Sequence, residues 1–181
     1  MSSTSFCDTN ATLSTAIEAI SDASYIFFDC EGTQLGSQGG LLSTIAIGLF
    51  TADNDVKAFV VDAIALKDSL QPLFAVLSAD KPVKVMWDGR RDSSELYHRF
   101  GITLGGVLDM QLADIISREI RGEDEPTQFR RHDGVVEAAD LRASPQYYRQ
   151  VQRLNNLNKC AVEHAIEVPA TEPSFGSYHT L

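Results

Sequence analysis

Basic charge is what this sequence has least of for its size. Fifteen Lys and Arg stand against 25 Asp and Glu in 181 residues, a net charge of −10. That balance excludes a protein that holds nucleic acid through its overall field, which needs clustered positive charge. It leaves room for an acidic site that holds cations, with basic residues placed locally. Cysteine is scarce too: Cys7, Cys30 and Cys160 are widely spaced, odd in number and form no C-x-x-C. A disulfide framework and a zinc site are therefore not expected, and the compartment expected is intracellular, cytoplasmic or nuclear. Asn10-Ala11-Thr12 fits a glycosylation sequon, but no basic start runs into an apolar core, so no signal peptide is expected. Long apolar runs are missing as well. The longest, Leu41 to Phe50, includes Ser43, Thr44 and Gly48 and is too short to span a bilayer, so no membrane association is expected. With 44% hydrophobic residues the chain can still pack a core, and its length suits one domain.

What is present centres on Tyr25-Ile26-Phe27-Phe28-Asp29-Cys30-Glu31-Gly32. A short apolar, aromatic run reads as a fully buried strand. Along a strand, side chains alternate, so Asp29 and Glu31 share one face and Cys30 takes the other. Two neighbouring carboxylates repel, and a hard divalent cation such as Mg²⁺ removes that cost. The bland alternative is a solvated strand end with two unrelated acids. Gly32 lets backbone or ligand approach closely.

Around this stretch the residues from Met1 to Thr12 are rich in Ser and Thr and read as frayed. Leu13, Ala16, Ile17 and Ile20 have helical spacing. Leu41 to Phe50 and Val56 to Val61 read as two further strands, joined by links too short for crossover helices, so these three strands are expected to be antiparallel neighbours. Leu70, Leu73, Phe74 and Leu77 mark a helix with Pro72 in its first turn. Val83 to Trp87 is a fourth strand. Leu96, Tyr97 and Phe100 mark a helix closed by Gly101. Gly105 to Asp109 is a fifth strand, leading into a helix with Leu112, Ile115 and Ile116. This order predicts an α/β fold, a mixed five-stranded sheet flanked by helices. The domain expected spans residues 12–168, with flexible tails at 1–11 and 169–181.

From Arg118 to Ser144, acids and arginines alternate between Gly122, Pro126 and Gly134, which reads as a loop-rich insertion or lid. Leu141 to Val162 carries Arg142, Arg149, Arg153 and Lys159, with Tyr147 and Tyr148 among them and no acid. Cations interleaved with aromatics suit backbone contact and base stacking, which makes Tyr147, Tyr148, Arg149, Arg153 and Lys159 candidate nucleic-acid-binding residues. A solvated helix face is the competing explanation, and Leu154, Leu157, Ala161 and Ala165 supply such a helix with an apolar stripe.

Phe28-Asp29-Cys30-Glu31-Gly32, Gly39 to Gly48 and Val83-Lys84-Val85-Met86-Trp87-Asp88-Gly89-Arg90-Arg91-Asp92 occur in a telling order. Leu108-Asp109-Met110-Gln111-Leu112-Ala113 and Leu154 to His164 follow. Together they resemble the ribonuclease D-like branch of the DEDD superfamily of 3′–5′ exonucleases. The resemblance implies a ribonuclease H-like fold and hydrolysis of phosphodiesters from the 3′ end of RNA or single-stranded DNA. It also implies four carboxylates holding two ions, Mg²⁺ or Mn²⁺. Asp29 and Glu31 match the first motif and Asp92 the second, as catalytic and metal-binding residues. Two departures stand out. Trp87 occupies the family's usual histidine position, and no downstream Tyr or His stands four residues before an Asp, so the last motif is absent and the domain is expected to be C-terminally incomplete.

Two other functions compete. An incomplete site would leave a nucleic-acid-binding or protein-interaction module. Asp29-Cys30-Glu31-Gly32-Thr33 is also close to the D-x-D-G-T motif of haloacid dehalogenase-like phosphatases, in which Asp29 would be the nucleophile. A crossover helix after the first strand would favour that phosphatase. An antiparallel strand there favours the exonuclease. Oligomeric state is left open by the sequence.

Overall fold

A computed structural model describes residues 2–149 and 151–167 of the chain. It divides into two compact units, Met1–Met110 and Gln111–Leu181. The domain expected at 12–168 draws on both units.

The first unit is built on a six-stranded mixed sheet. Its strands are β1 (Ser3–Cys7), β2 (Tyr25–Thr33), β3 (Leu41–Phe50), β4 (Val56–Asp62), β5 (Val83–Met86) and β6 (Val107–Asp109). Their spatial order is β1-β4-β3-β2-β5-β6. As expected, β2, β3 and β4 are antiparallel neighbours joined without a crossover helix. Strand β5 then joins β2 in parallel, and β6 joins β5 in parallel. This topology removes the phosphatase alternative, whose parallel sheet requires a crossover after the strand carrying Asp29.

Helix α1 (Asn10–Ser21) begins at a capping box, where Thr9 accepts from the Thr12 amide and the Thr12 side chain accepts from the Thr9 amide. Helix α2 (Gln71–Ser78) buries Leu73, Phe74 and Leu77, with Pro72 in its first turn. Helix α3 (Arg90–Phe100) ends at Gly101, whose φ of 68° forms a left-handed cap. One core joins Leu13, Ala16 and Ile20 of α1 to Ile26 and Phe28 of β2, Ile45 and Ile47 of β3 and Leu96 of α3.

Two expectations for this unit are corrected. The residues expected to be a frayed tail form β1, parallel to β4 with Ser3 opposite Lys57 and Cys7 opposite Val61. Only Cys7 of that strand is buried, so its sequence carries no apolar alternation. Strand β2 is not buried on both faces: Ile26, Phe28 and Cys30 are buried, whereas Tyr25, Phe27, Asp29 and Glu31 are exposed. Its outer face is an aromatic row, with Tyr25 edge-on to Phe27 at 6.0 Å and Phe27 edge-on to Phe50 at 5.7 Å.

The second unit contains most of α4 (Met110–Ile120), with α5 (Glu125–Arg130), α6 (Ala138–Ala143) and α7 (Leu157–Glu163). The stretch expected to be a loop-rich insertion therefore holds helices, tied by ion pairs rather than an apolar core. Arg131 is clamped by Glu123 at 2.7 Å from both Nε and Nη2, and reaches Glu163 at 2.7 Å through Nη1. Leu141 to Val162 is not one helix, because Pro145 opens a single 3-10 turn and α7 starts afresh at Asn156, whose side chain caps the Lys159 amide at 2.8 Å. The expected tail at 169–181 lies outside the described residues. None of the described helices is long and apolar enough to cross a membrane.

Hydrogen bonds from Arg131 hold the Glu123 carboxyl below its ordinary value of 4.5. A depressed carboxyl stabilises the fold fully above its unfolded pKa and loses that contribution as pH falls through its lower folded value. Glu123→Gln is therefore expected to cost about 1.5–3 kcal/mol near neutrality. The gap from wild type should shrink below about pH 4.5, as read by urea unfolding across pH. A gap that does not change with pH would show that the clamp contributes through packing alone.

Candidate active site

Strand β2 lies at the switch of the sheet, between antiparallel β3 and parallel β5. Its pairing with β5 stops at Phe27 opposite Val85, because β5 ends at Met86. Beyond that point β2 has no neighbour on this side, and its free amides need other acceptors. Ligand sites in α/β sheets favour such a switch, at the carboxyl ends of the strands. A bulge falls between Glu31 and Gly32. Gly32 is obligatory there: a Cβ would lie 2.0 Å from the Leu41 carbonyl oxygen.

The amide of Cys30 finds its acceptor in the first turn of α3, where Asp92 Oδ1 lies 2.7 Å away. Asp92 is 5% exposed, whereas Asp29 points to the open face of β2. Burial raises the Asp29 carboxyl above its usual range. Burial likewise raises Asp92, against hydrogen bonds from backbone amides, and the charge of Asp29 raises it further. Asp92 thus stands on the Cys30 amide, close enough to Asp29 for the charge of Asp29 to disfavour its own. Burial and the nearby Asp92 also push the Cys30 thiol far up, so it stays protonated. Glu31 is exposed on the face that carries Asp29. Asp29, Glu31 and Asp92 do not lie as a trio within 4.8 Å; among the described residues the one such group of potential metal donors is in the second unit. Asp29 and Asp92 are brought near each other, and Glu31 is on the exposed face of β2.

Two residues next to this site were not singled out from the sequence. Glu95, one turn after Asp92 on α3, is 3% exposed and accepts from the Gly36 amide at 2.9 Å. Its other oxygen has no hydrogen-bond partner, and the closest cation, Arg99 Nη1, is 3.9 Å away. Arg99 itself donates to the Gly40 carbonyl at 2.6 Å. With the β2–β3 loop from Gly36 to Gly40, Ser94 and His98, they line a cleft of about 490 Å³. The signal for Glu95 was its i,i+3 spacing from Asp92 beside buried Leu96. Trp87 is partly buried, and Asp88 has a φ of 55° and is paired with Arg90.

The candidate nucleic-acid residues of the second unit do not form one helical face. Arg153 donates to the Arg131 carbonyl at 2.6 Å, and Tyr148 packs on His132 at 5.7 Å, so both serve the unit's own structure. Arg149 faces Glu125 at 3.6 Å, Lys159 is half-buried on α7, and Tyr147 is 71% exposed.

The sequence model of the 3′–5′ exonuclease family matches residues 5–124. The chain belongs to the 3′–5′ exonuclease family. The match takes in Asp29, Glu31 and Asp92. Among solved structures, RNase D from Trypanosoma brucei in complex with RNA U12 has a TM-score of 0.54 and 20% identity, covering 90% of this chain and 57% of that one. RNase D from Escherichia coli, an exoribonuclease involved in structured RNA processing, has a TM-score of 0.54 and 18% identity, covering 90% and 41%. The EXD2 exonuclease domain soaked in Mg and GMP has a TM-score of 0.52 and 16% identity, covering 70% and 68%. At these identities the structures establish a shared fold, ribonuclease D-like. The exonuclease-family chain spans little more than half of one RNase D chain and less than half of the other. No curated protein sequence matches it.

Asp92→Ala would leave the buried Cys30 amide without an acceptor, which costs about 1–3 kcal/mol. Asp92→Asn keeps a carbonyl in that place and removes a charge that burial disfavours. Chemical denaturation is expected to rank Asp92→Asn close to wild type and Asp92→Ala well below both. Equal stabilities would show that the amide is satisfied without Asp92.

Proposed function

We infer that this chain carries the metal-binding carboxylates of a 3′–5′ exonuclease acting on nucleic acid, RNA or single-stranded DNA. The observation that supports this most directly is the seating of Asp92 on the Cys30 amide beside Asp29, where β2 leaves β5. Carboxylate oxygens are the donors that Mg²⁺ and Mn²⁺ prefer, and a cation offsets the cost of the two desolvated charges. Asp29 and Asp92 would hold the ion, with Glu31 closing on it from the exposed face of β2. When bound, such an ion activates a water and neutralises charge on the scissile phosphate.

The protein's own part is positioning. The Cys30 amide fixes the orientation of the Asp92 carboxylate, and the bulge at Gly32 turns the strand as it leaves the sheet. Three carboxylates are present where the resemblance calls for four, and no residue matches the family's last Tyr or His. Poor orientation of the attacking water by about 1 Å costs on the order of a hundredfold in rate. Tyr147 and Arg149, the most exposed of the candidate contacts, are proposed to meet the nucleic acid, with Lys159 beside them. The free state of all three cysteines supports an intracellular location.

The test is Mn²⁺ titration of wild type and Asp29→Ala, beside an assay with a 3′-labelled oligonucleotide and Mg²⁺. One Mn²⁺ should bind wild type and be lost in Asp29→Ala, while the oligonucleotide is shortened slowly or not at all. Rapid shortening abolished in Asp29→Ala would show that three carboxylates suffice. Mn²⁺ binding that survives Asp29→Ala would move the site elsewhere.

A further inference from the structure

In the second unit, α4 and α7 bring together three side chains of different chemistry. Asp114, Cys160 and His164 each offer one donor atom, and these atoms all lie within 4.8 Å of one another. Cys160 and His164 are four residues apart, so they rise from one edge of α7 and its C-cap. Asp114 stands on α4 with its side chain fully buried. His164 Nε2 is 3.1 Å from Asp114 Oδ1. Tetrahedral bonds of about 2.0–2.3 Å to oxygen, nitrogen and sulfur place donor atoms about 3.3–3.6 Å apart. The cluster therefore needs only a modest contraction around an ion.

We propose that Asp114, Cys160 and His164 form a binding site for a thiophilic divalent ion of the zinc class, which fastens α7 to α4. Sulfur and imidazole donors select such an ion over Mg²⁺ or Mn²⁺, so this site and the carboxylates of β2 sort metals by softness. The remaining polar groups orient the donors. Arg118 is fully buried and pairs with Asp114 Oδ2, which leaves Oδ1 toward His164. The Asn155 amide nitrogen bridges Asp114 Oδ2 and Glu163 Oε2, each at 3.1 Å. Such outer partners fix ligand geometry in metal sites. Arg121 lies 3.2 Å from both ring nitrogens of His164, but it is exposed and free to turn into solvent. His164 and Cys160 are partly exposed, which provides a path of entry. On binding, the Sγ–H bond breaks and the Sγ–metal bond forms. The proton passes to buffer, and nothing is oxidised or reduced.

Cobalt(II) is the probe, added to the full chain in saturating Mg²⁺ so that hard carboxylate sites are occupied. One equivalent is expected to produce a thiolate-to-cobalt charge-transfer band together with tetrahedral d–d bands. Zn²⁺ should displace both. Cys160→Ser should abolish the charge-transfer band and weaken binding at least about tenfold, and His164→Gln should weaken it comparably. An unaltered titration in Cys160→Ser, or d–d bands without charge transfer, would overturn the proposal. A second measurement needs no variant: Zn²⁺ should slow alkylation of Cys160 in the wild type at least about tenfold. Alkylation at an unchanged rate would overturn it equally.

Discussion

The hydrogen bond from the Cys30 amide to Asp92 is the contact on which the candidate active site depends. It forms because β5 stops short of the end of β2, leaving that amide with no strand to pair with. A buried amide must find an acceptor, and the first turn of α3 supplies one. That solution places a carboxylate beside the carboxylate of Asp29, in surroundings that disfavour the charge of each. Strand order, strand length and the register of α3 therefore meet in one pair of acids. The bulge before Gly32 belongs to the same solution, since no other residue fits against the Leu41 carbonyl.

The first unit was legible where burial writes a pattern into the sequence. Leu41–Phe50 was readable as a strand to the residue, and the first turn of α2 was marked by Pro72. Gly101 announced the end of α3. Strand β1 was not legible, since a Ser- and Thr-rich edge strand with one buried residue has no alternation to detect. The outer face of β2 misled for the opposite reason. Tyr25 and Phe27 are aromatic yet exposed, edge-on to each other, with Phe27 also edge-on to Phe50. Asp29 and Asp92 were readable as site candidates through the order of their motifs. Glu95 was overlooked because its one sign of burial was its spacing from Asp92 and Leu96, and an acid inside a helix is ordinarily solvated.

The second unit was read less well, and the cause is physical. Its organisation rests on ion pairs and buried hydrogen bonds rather than on an apolar stripe. Arg131 with Glu123 and Glu163 joins residues that periodicity does not relate. Asp114 and His164 are fifty positions apart, so their contact was invisible in any local window. The basic and aromatic residues from Tyr147 to Lys159 suggested one face, but Pro145 and Asn156 break the helix that would have aligned them. Arg153 was then drawn inward to the Arg131 carbonyl. A charged residue in an acidic chain is thus as readily a structural tie as a contact for a polyanion.

The account's central claim is that Asp29 and Asp92 hold a hard divalent ion at the end of β2. Paramagnetic broadening of amide resonances by substoichiometric Mn²⁺ tests it most directly, because broadening falls steeply with distance from the ion. The account predicts that Cys30, Glu31 and the first turn of α3 around Asp92 broaden first, before any other acidic segment. Broadening that began instead at Asp53 and Asp55, between β3 and β4, or evenly over the acidic surface, would contradict it.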